Sequence, residues 1–132
     1  MKERYANDPE YRTSCQLRKQ TRRLGDYKNT TTLELVGCSP YEFWQMNGSP
    51  SIEELKDLHI DHIIPLSWFN LDDPDHVKVC NHYLNLQYLS SEDNLKKGAR
   101  YMGSPDKILA YQEGFDIDAH VSEMLVIIDE LN

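Results

Sequence analysis

The sequence has few cysteines and no long apolar run, and both shortages limit what the protein can be. Its three cysteines, Cys15, Cys38 and Cys80, form no CxxC pair, so neither a zinc knuckle nor a disulfide framework is predicted. No apolar stretch has the length that a bilayer requires. The first residues lead into no apolar segment, so no secretory signal is expected. These features predict an intracellular, cytoplasmic protein with no membrane partner.

The charge of the chain is unevenly distributed. The 132 residues carry a formal net charge of −8. Residues 1–28 contain eight basic and four acidic side chains, a net charge of +4, whereas residues 105–132 contain one basic and seven acidic side chains, a net charge of −6. Local charge decides where a phosphate docks, and net charge mainly affects solubility and non-specific binding. The basic front of this acidic chain therefore keeps DNA as a possible partner.

The predicted fold class is α+β, in one domain that spans residues 1–132. Two short strands are predicted at 59–64 and 83–89, separated by a long loop with a helical turn at 75–80. Helices with capping residues surround them, over 8–24, 30–36, 39–46, 51–58, 90–98, 104–113 and 116–131. The domain then has three parts, which are a basic helical lead-in (1–58), a strand–strand–helix core (59–98) and C-terminal helices (99–132).

Three short motifs in the core carry the polar residues that suggest chemistry. They are His59-Ile60-Asp61-His62-Ile63-Ile64-Pro65, Asn85-Leu86-Gln87-Tyr88-Leu89 and Ser90-Ser91-Glu92-Asp93-Asn94-Leu95-Lys96-Lys97-Gly98. Cleavage of a phosphodiester needs a base for the attacking water and positive charge for the phosphate and leaving oxygens. His62 is a suitable base near neutral pH. Asp61 and Asn94 provide the oxygen ligands that suit Mg²⁺.

The predicted strand restricts how these groups meet. Side chains alternate along a regular strand, so Asp61 and His62 diverge unless a strand end or a distortion brings both to one phosphate. Pro65 places the strand end close by. Lys97 lies three residues after Asn94 on the predicted helix, so it shares the face of Asn94 and is a candidate phosphate contact.

The three motifs, in this order and spacing, resemble the HNH endonucleases, whose fold is called ββα-metal. They are similar in style to small standalone HNH proteins of phages and large DNA viruses. The nine-residue separation of Asn85 and Asn94 also matches the HNH domain of RNA-guided CRISPR nucleases. The resemblance covers about residues 30 to 100, because the segment from Leu33 to Ser39 is similar to the helical lead-in of the viral group.

The resemblance implies a metal-dependent hydrolase of DNA and a role for each motif residue. Asp61 and Asn94 would be the metal ligands, His62 the general base, and Asn85 a brace that orients His62. Many HNH motifs end in His where this chain has Asn94, so Mg²⁺ or Mn²⁺ is implied. The flanking zinc cysteines of many relatives are absent here, so no structural zinc is expected. Candidate nucleic-acid contacts, by position and charge, are His59, Lys96, Lys97, Arg100, Arg22 and Arg23.

Each of these features also has a simpler interpretation. His59 either contacts phosphate or metal or packs beneath the site, and the basic helix at 8–24 either is a solvated surface or lies on a phosphate backbone. His82 is expected to be structural, and His76 and His120 are expected at the surface. Two other functions remain open. The chain is a non-catalytic DNA-binding or scaffold protein, or it is a nuclease subunit whose acidic helix at 116–131 contacts a second copy or a protein partner.

Overall fold

A computed structural model describes residues 2–22, 31–97 and 115–131, and it confirms the α+β class. The helices before the first strand are α1 (Lys2–Asn7), α2 (Pro9–Arg22), α3 (Thr32–Val36), α4 (Pro40–Met46) and α5 (Ile52–Leu55). The remaining elements are β1 (Leu58–His62), α6 (Pro74–Cys80), β2 (Leu86–Ser90), α7 (Ser91–Lys97) and α8 (Ile117–Leu131). The predicted helix at 104–113 lies outside the described residues.

Local hydrogen bonds explain where the short helices begin. Ser39 and Ser51 each cap a helix with a capping box, because the serine oxygen accepts from the N–H of the residue three positions later and a glutamate there bonds back. Ser90 Oγ accepts from the Asp93 N–H at 3.1 Å at the start of α7. Gly37 ends α3 with a φ of 83°, a conformation that glycine adopts without strain. The helix starts predicted at Ser39, Ser51 and Ser90 are confirmed.

β1 and β2 form a two-stranded antiparallel sheet, and both strands are shorter than predicted. β1 ends at His62. The Ile63 N–H still donates to the Asn85 carbonyl at 2.7 Å, in the register of the ladder, but the Ile64 N–H donates to the Asn85 side chain. A 3₁₀ turn occupies Tyr83–Asn85, so β2 begins only at Leu86. The predicted strand limits of 64 and 83 are therefore wrong.

α2 lies along the edge of β1 that β2 leaves open. Gln16 Nε2 donates to the Leu58 carbonyl at 2.9 Å, and Gln20 Nε2 donates to the Ile60 carbonyl at 2.7 Å. The two glutamines are one helical turn apart and the two carbonyls are two strand residues apart, so the spacings match. These bonds cover an edge that would otherwise invite pairing with another chain.

Two apolar clusters hold these elements together. The sheet-side core lies between the sheet, α2 and α4, and consists of Leu17, Val36, Cys38, Phe43, Ile60 and Leu86. The helix-side core lies between the segment after β1, α6 and α8, and consists of Leu35, Ile64, Phe69, Val77, Val79, Cys80, Val121 and Ile128. Tyr88 joins α2 to β2, since its hydroxyl lies 2.6 Å from Thr13 Oγ1.

The structure corrects two expectations about the C-terminal helix and its neighbour. His76 is 3% exposed, not at the surface, because its Nδ1 accepts from the Asn70 N–H and its Nε2 donates to Asp118 on α8. Most of the apolar stripe of α8 packs on the helix-side core, so this stripe is not a free partner surface. Its last member, Leu131, is 54% exposed.

Among the described residues, no helix has the length and apolar character needed to span a bilayer.

Candidate functional site

Asp61 and His62 project from opposite faces of the sheet. β1 pairs regularly with β2 as far as its last residue, and Asp61 stands directly opposite Gln87. Because side chains alternate along a regular strand, His62 shares the face of Ile60, which belongs to the sheet-side core. Asp61 shares the other face with His59. The side chains of Asp61 and His62 therefore diverge, as the sequence predicts.

The helix that carries Asn94 covers the face of the sheet that carries Asp61. α7 contacts both strands, and side chains of α2 and α4 occupy the opposite face. The first residue of α7, Ser91, bonds through its Oγ to His59 Nε2 at 2.9 Å. Asp61 Oδ2 and Gln87 Nε2 are both shielded from solvent, and Asn94 is partly buried. The carboxylate and the helix that carries the amide thus lie on one side of the sheet.

His62 is buried and bonded to a residue that the sequence motifs do not include. Its side chain is 2% exposed, and that of Asn81, which follows α6, is 0% exposed. His62 Nε2 lies 2.8 Å from Asn81 Oδ1. An amide oxygen only accepts hydrogen bonds, so Nε2 donates. Asn81 follows the predicted helical turn in the long loop, and no local pattern marks it.

Asn85 braces the chain on both sides of the His62–Asn81 pair. Its side chain is 4% exposed. Oδ1 accepts from the Ile64 N–H at 2.9 Å, and Nδ2 donates to the Cys80 carbonyl at 2.9 Å and to the Ile64 carbonyl at 3.3 Å. Ile64 follows His62 by two residues, and Cys80 precedes Asn81. The contacts fit the predicted bracing role, and they act on the backbone of the flanking segments.

Burial makes three weak acids of this region harder to ionise. It raises the pKa of the Cys80 thiol to about 12 and that of the Cys38 thiol to about 11. It also raises the pKa of Tyr88 to about 12. A thiol must lose its proton to act as a nucleophile or a metal ligand, so the two cysteines act here as small apolar core residues.

The predicted nucleic-acid contacts are described only in part. His59 is exposed on β1, and Arg22 is exposed at the end of α2. Lys96 and Lys97 lie in α7, but their side chains are outside the described part of the structure. Arg23 and Arg100 also lie outside it. The basic character of α2 is nonetheless clear, because the helix contains four basic residues and one acidic residue.

The donor set of this site fits a hard divalent ion. Within the described ranges, no group of three or more His, Cys, Asp or Glu side chains is arranged to hold a metal. Asp61 and Asn94 provide only a carboxylate and an amide oxygen. Mg²⁺ keeps several waters and is often held by one or two protein oxygens together with substrate phosphate. A carboxylate and an amide oxygen are ligands of the kind that this mode of binding uses.

Comparison with known proteins finds one relative from a large DNA virus. An uncharacterized protein of Acanthamoeba polyphaga mimivirus is 32% identical over 114 residues, an alignment that covers 80% of this chain and 47% of the relative. The chain thus spans about half the length of that protein. No protein-family model matches the chain. No solved structure matches it either.

Proposed function

We propose that the protein is a metal-dependent endonuclease of the HNH type, which hydrolyses DNA phosphodiester bonds. The observation that carries this proposal is the strand–strand–helix unit β1–β2–α7, in which the helix with Asn94 covers the strand face with Asp61. Three motifs that resemble the HNH pattern meet in this unit. The similarity to a viral protein agrees with the phage and viral character of the resemblance.

The proposed reaction assigns one task to each side chain. Asp61 and Asn94 would hold Mg²⁺ or Mn²⁺, which supplies positive charge to the phosphate and leaving oxygens when bound. His62 would take the proton of the attacking water, and Asn81 holds its Nε2. Asn85 positions His62 through the backbone on either side of the His62–Asn81 pair. Since His62 is buried, the reaction requires DNA binding to uncover its ring.

A second function is favoured by that same burial. A general base must reach the proton that it removes, and His62 is 2% exposed. A histidine held this way also serves as a structural residue that joins β1 to the end of α6. The chain would then be a DNA-binding or scaffold protein on the same strand–strand–helix unit. A nuclease subunit that needs a partner is a further form of the first proposal, and the exposed Val126, Ile127 and Leu131 of α8 offer an apolar surface for it.

Plasmid cleavage tests the nuclease directly. The wild type is incubated with supercoiled plasmid and Mg²⁺, Mn²⁺ or EDTA, beside His62→Ala and Asp61→Ala. The control variants are His120→Ala, a histidine on α8, and Asp57→Ala, which removes the same charge from the residue before β1. The proposal expects metal-dependent cutting by the wild type and both controls, and a loss of at least about 100-fold in His62→Ala, the usual scale for a general base.

Metal-binding measurements distinguish the proposed metal ligands from the proposed general base. Titration with Mn²⁺ should show weaker binding in Asp61→Ala and Asn94→Ala, and unchanged binding in His62→Ala. Cutting by His62→Ala at the wild-type rate would exclude His62 as the base. No cutting by folded wild type that still binds DNA would favour the DNA-binding function.

A further inference from the structure

A cavity of about 270 Å³ lies between α1, α2 and β1, at the edge of β1 that α2 covers. Its lining is basic, and no carboxylate is found among the described residues that line it. The residues that matter for its chemistry are Tyr5, Arg12, Gln16, Lys19, Lys56 and His59. Lys56 is already bonded to Glu53 at 3.1 Å, so Arg12 and Lys19 provide the available charge.

Arg12 is held in place to receive an anion. Its guanidinium carbon lies 4.3 Å from the centre of the Tyr5 ring, a cation–π contact that orients the planar group. Its Nε atom is shielded from solvent and makes no hydrogen bond within the described residues. A guanidinium matches the geometry of phosphate oxygens. The cavity is thus lined by a cation whose orientation is fixed by Tyr5.

His59 connects this cavity to the face of the sheet that carries Asp61. It lines the cavity, and it lies two residues before Asp61 on the same face of β1. Two strand residues span about 7 Å, which is close to the rise of two nucleotides along one strand of DNA, at about 3.4 Å each. A DNA strand that passes Asp61 can therefore place a phosphate about two nucleotides away over the cavity.

We infer that the cavity between α1, α2 and β1 binds a phosphate of the DNA backbone beside the scissile bond, through Arg12 and Lys19. This inference rests on the proposed DNA substrate, and it adds two residues that the sequence motifs do not include. The glutamine bonds from α2 to β1 set the distance between these cations and the strand. The cavity then positions DNA and carries no sequence information of its own.

Binding of a labelled DNA duplex in EDTA tests the inference, with fluorescence anisotropy measured over a range of salt concentrations. The test variants are Lys19→Gln and Arg12→Gln. The matched control is Arg18→Gln, which removes the same charge from the same helix at an exposed position that does not line the cavity. Lys19 is also exposed, so its variant stays informative if Arg12→Gln fails to fold.

Each test variant should weaken binding several-fold at low salt. Each should also make the negative slope of log affinity against log salt shallower by about 0.9, the value for one lost phosphate contact. Arg18→Gln should change affinity less than twofold and leave the slope unchanged. Equal behaviour of Lys19→Gln and Arg18→Gln would overturn the inference. The inference would also be overturned if the wild type bound no DNA. It would be overturned too if Lys19→Gln lost only the binding of free inorganic phosphate, as measured by calorimetry.

Plasmid cutting distinguishes failure of this inference from failure of the proposed function. Wild type and Lys19→Gln that cut and bind alike would leave the nuclease intact and exclude the cavity as a DNA contact. Wild type that binds DNA through Lys19 but never cuts would support the cavity and exclude a nuclease that acts without a partner.

Discussion

Asn85 holds the backbone of Ile64 at both ends, since its Oδ1 accepts from the Ile64 N–H at 2.9 Å and its Nδ2 donates to the Ile64 carbonyl at 3.3 Å. The Asn85 side chain therefore bonds to the backbone after β1 as a residue of a neighbouring strand would. Backbone pairing reaches Ile63, whose N–H donates to the Asn85 carbonyl at 2.7 Å, and it gives way to the Asn85 side chain at Ile64.

Replacement of Asn85 by alanine should destabilise the fold. It removes three buried hydrogen bonds and leaves the Ile64 N–H without its partner, and each unsatisfied buried group costs about 1–3 kcal/mol. We expect the free energy of unfolding to fall by about 3 kcal/mol in urea titrations. Asn47→Ala, which removes one bond at an exposed position, is the control and should cost about 1 kcal/mol or less. A loss below that of the control would contradict the bracing role.

Replacement of Gly37 by alanine should cost more than the same change at Gly48. Both glycines have positive φ, 83° and 91°, so both variants carry backbone strain of about 1–2 kcal/mol. A Cβ at Gly37 would also lie 2.8 Å from His82 Nε2, whereas a Cβ at Gly48 meets no atom within 4 Å. The clash should add about 1–3 kcal/mol, as measured by urea unfolding. In a double-mutant cycle, His82→Ala should recover much of that addition, and additive effects would rule out the clash.

The stability of the protein should fall as pH decreases from about 6.5 to about 4, because of His82. Burial lowers the pKa of this histidine to about 4, and the positive charge of Lys78 adds to the effect. The unfolded chain, with a histidine pKa near 6.5, then binds the extra proton in this range. The unfolded state is favoured by up to about 1.4 kcal/mol per pH unit.

Urea unfolding of the wild type and His82→Gln at pH 7, 6, 5 and 4.5 measures this effect. The difference between the two proteins isolates His82 from the carboxylates that titrate in the same range. The wild type should lose stability faster than the variant as pH falls. Parallel curves would show that His82 does not resist protonation.

The buried His76 should matter more for stability than its exposed partner Asp118. Loss of the ring leaves the Asn70 N–H unsatisfied and opens a cavity, so His76→Ala should cost about 2–3 kcal/mol. The side chain of Asp118 is 81% exposed, so water replaces it and Asp118→Ala should cost about 1 kcal/mol or less.

Thermal unfolding tests this order, with Asp129→Ala as the control for loss of a carboxylate from α8. Asp129 makes an exposed ion pair with Lys78 at 3.7 Å and should contribute little. Equal effects of the three substitutions would show that His76 does not join α6 to α8.

Interactions between residues close in the chain were predictable. The capping serines Ser39, Ser51 and Ser90 depend on hydrogen bonds over three residues, so their patterns locate helix starts without any knowledge of the fold. The divergence of Asp61 and His62 follows from strand geometry alone. The strand ends were misplaced because they depend on Asn85, whose side chain reaches a segment 21 residues away.

The sequence by itself determined the α+β class, the helix starts at Ser39, Ser51 and Ser90 and the three polar motifs, because these depend on local hydrogen bonding, apolar spacing and residue chemistry. It did not predict α1 (Lys2–Asn7). Only the tertiary structure decided that His62 is buried against Asn81, that Gln16 and Gln20 cover the edge of β1, and that Arg12 lines a basic cavity. These contacts join residues 19 to 42 positions apart or depend on how α1, α2 and β1 pack. No periodic or capping pattern encodes them, because burial of a polar group is set by the elements that fold around it.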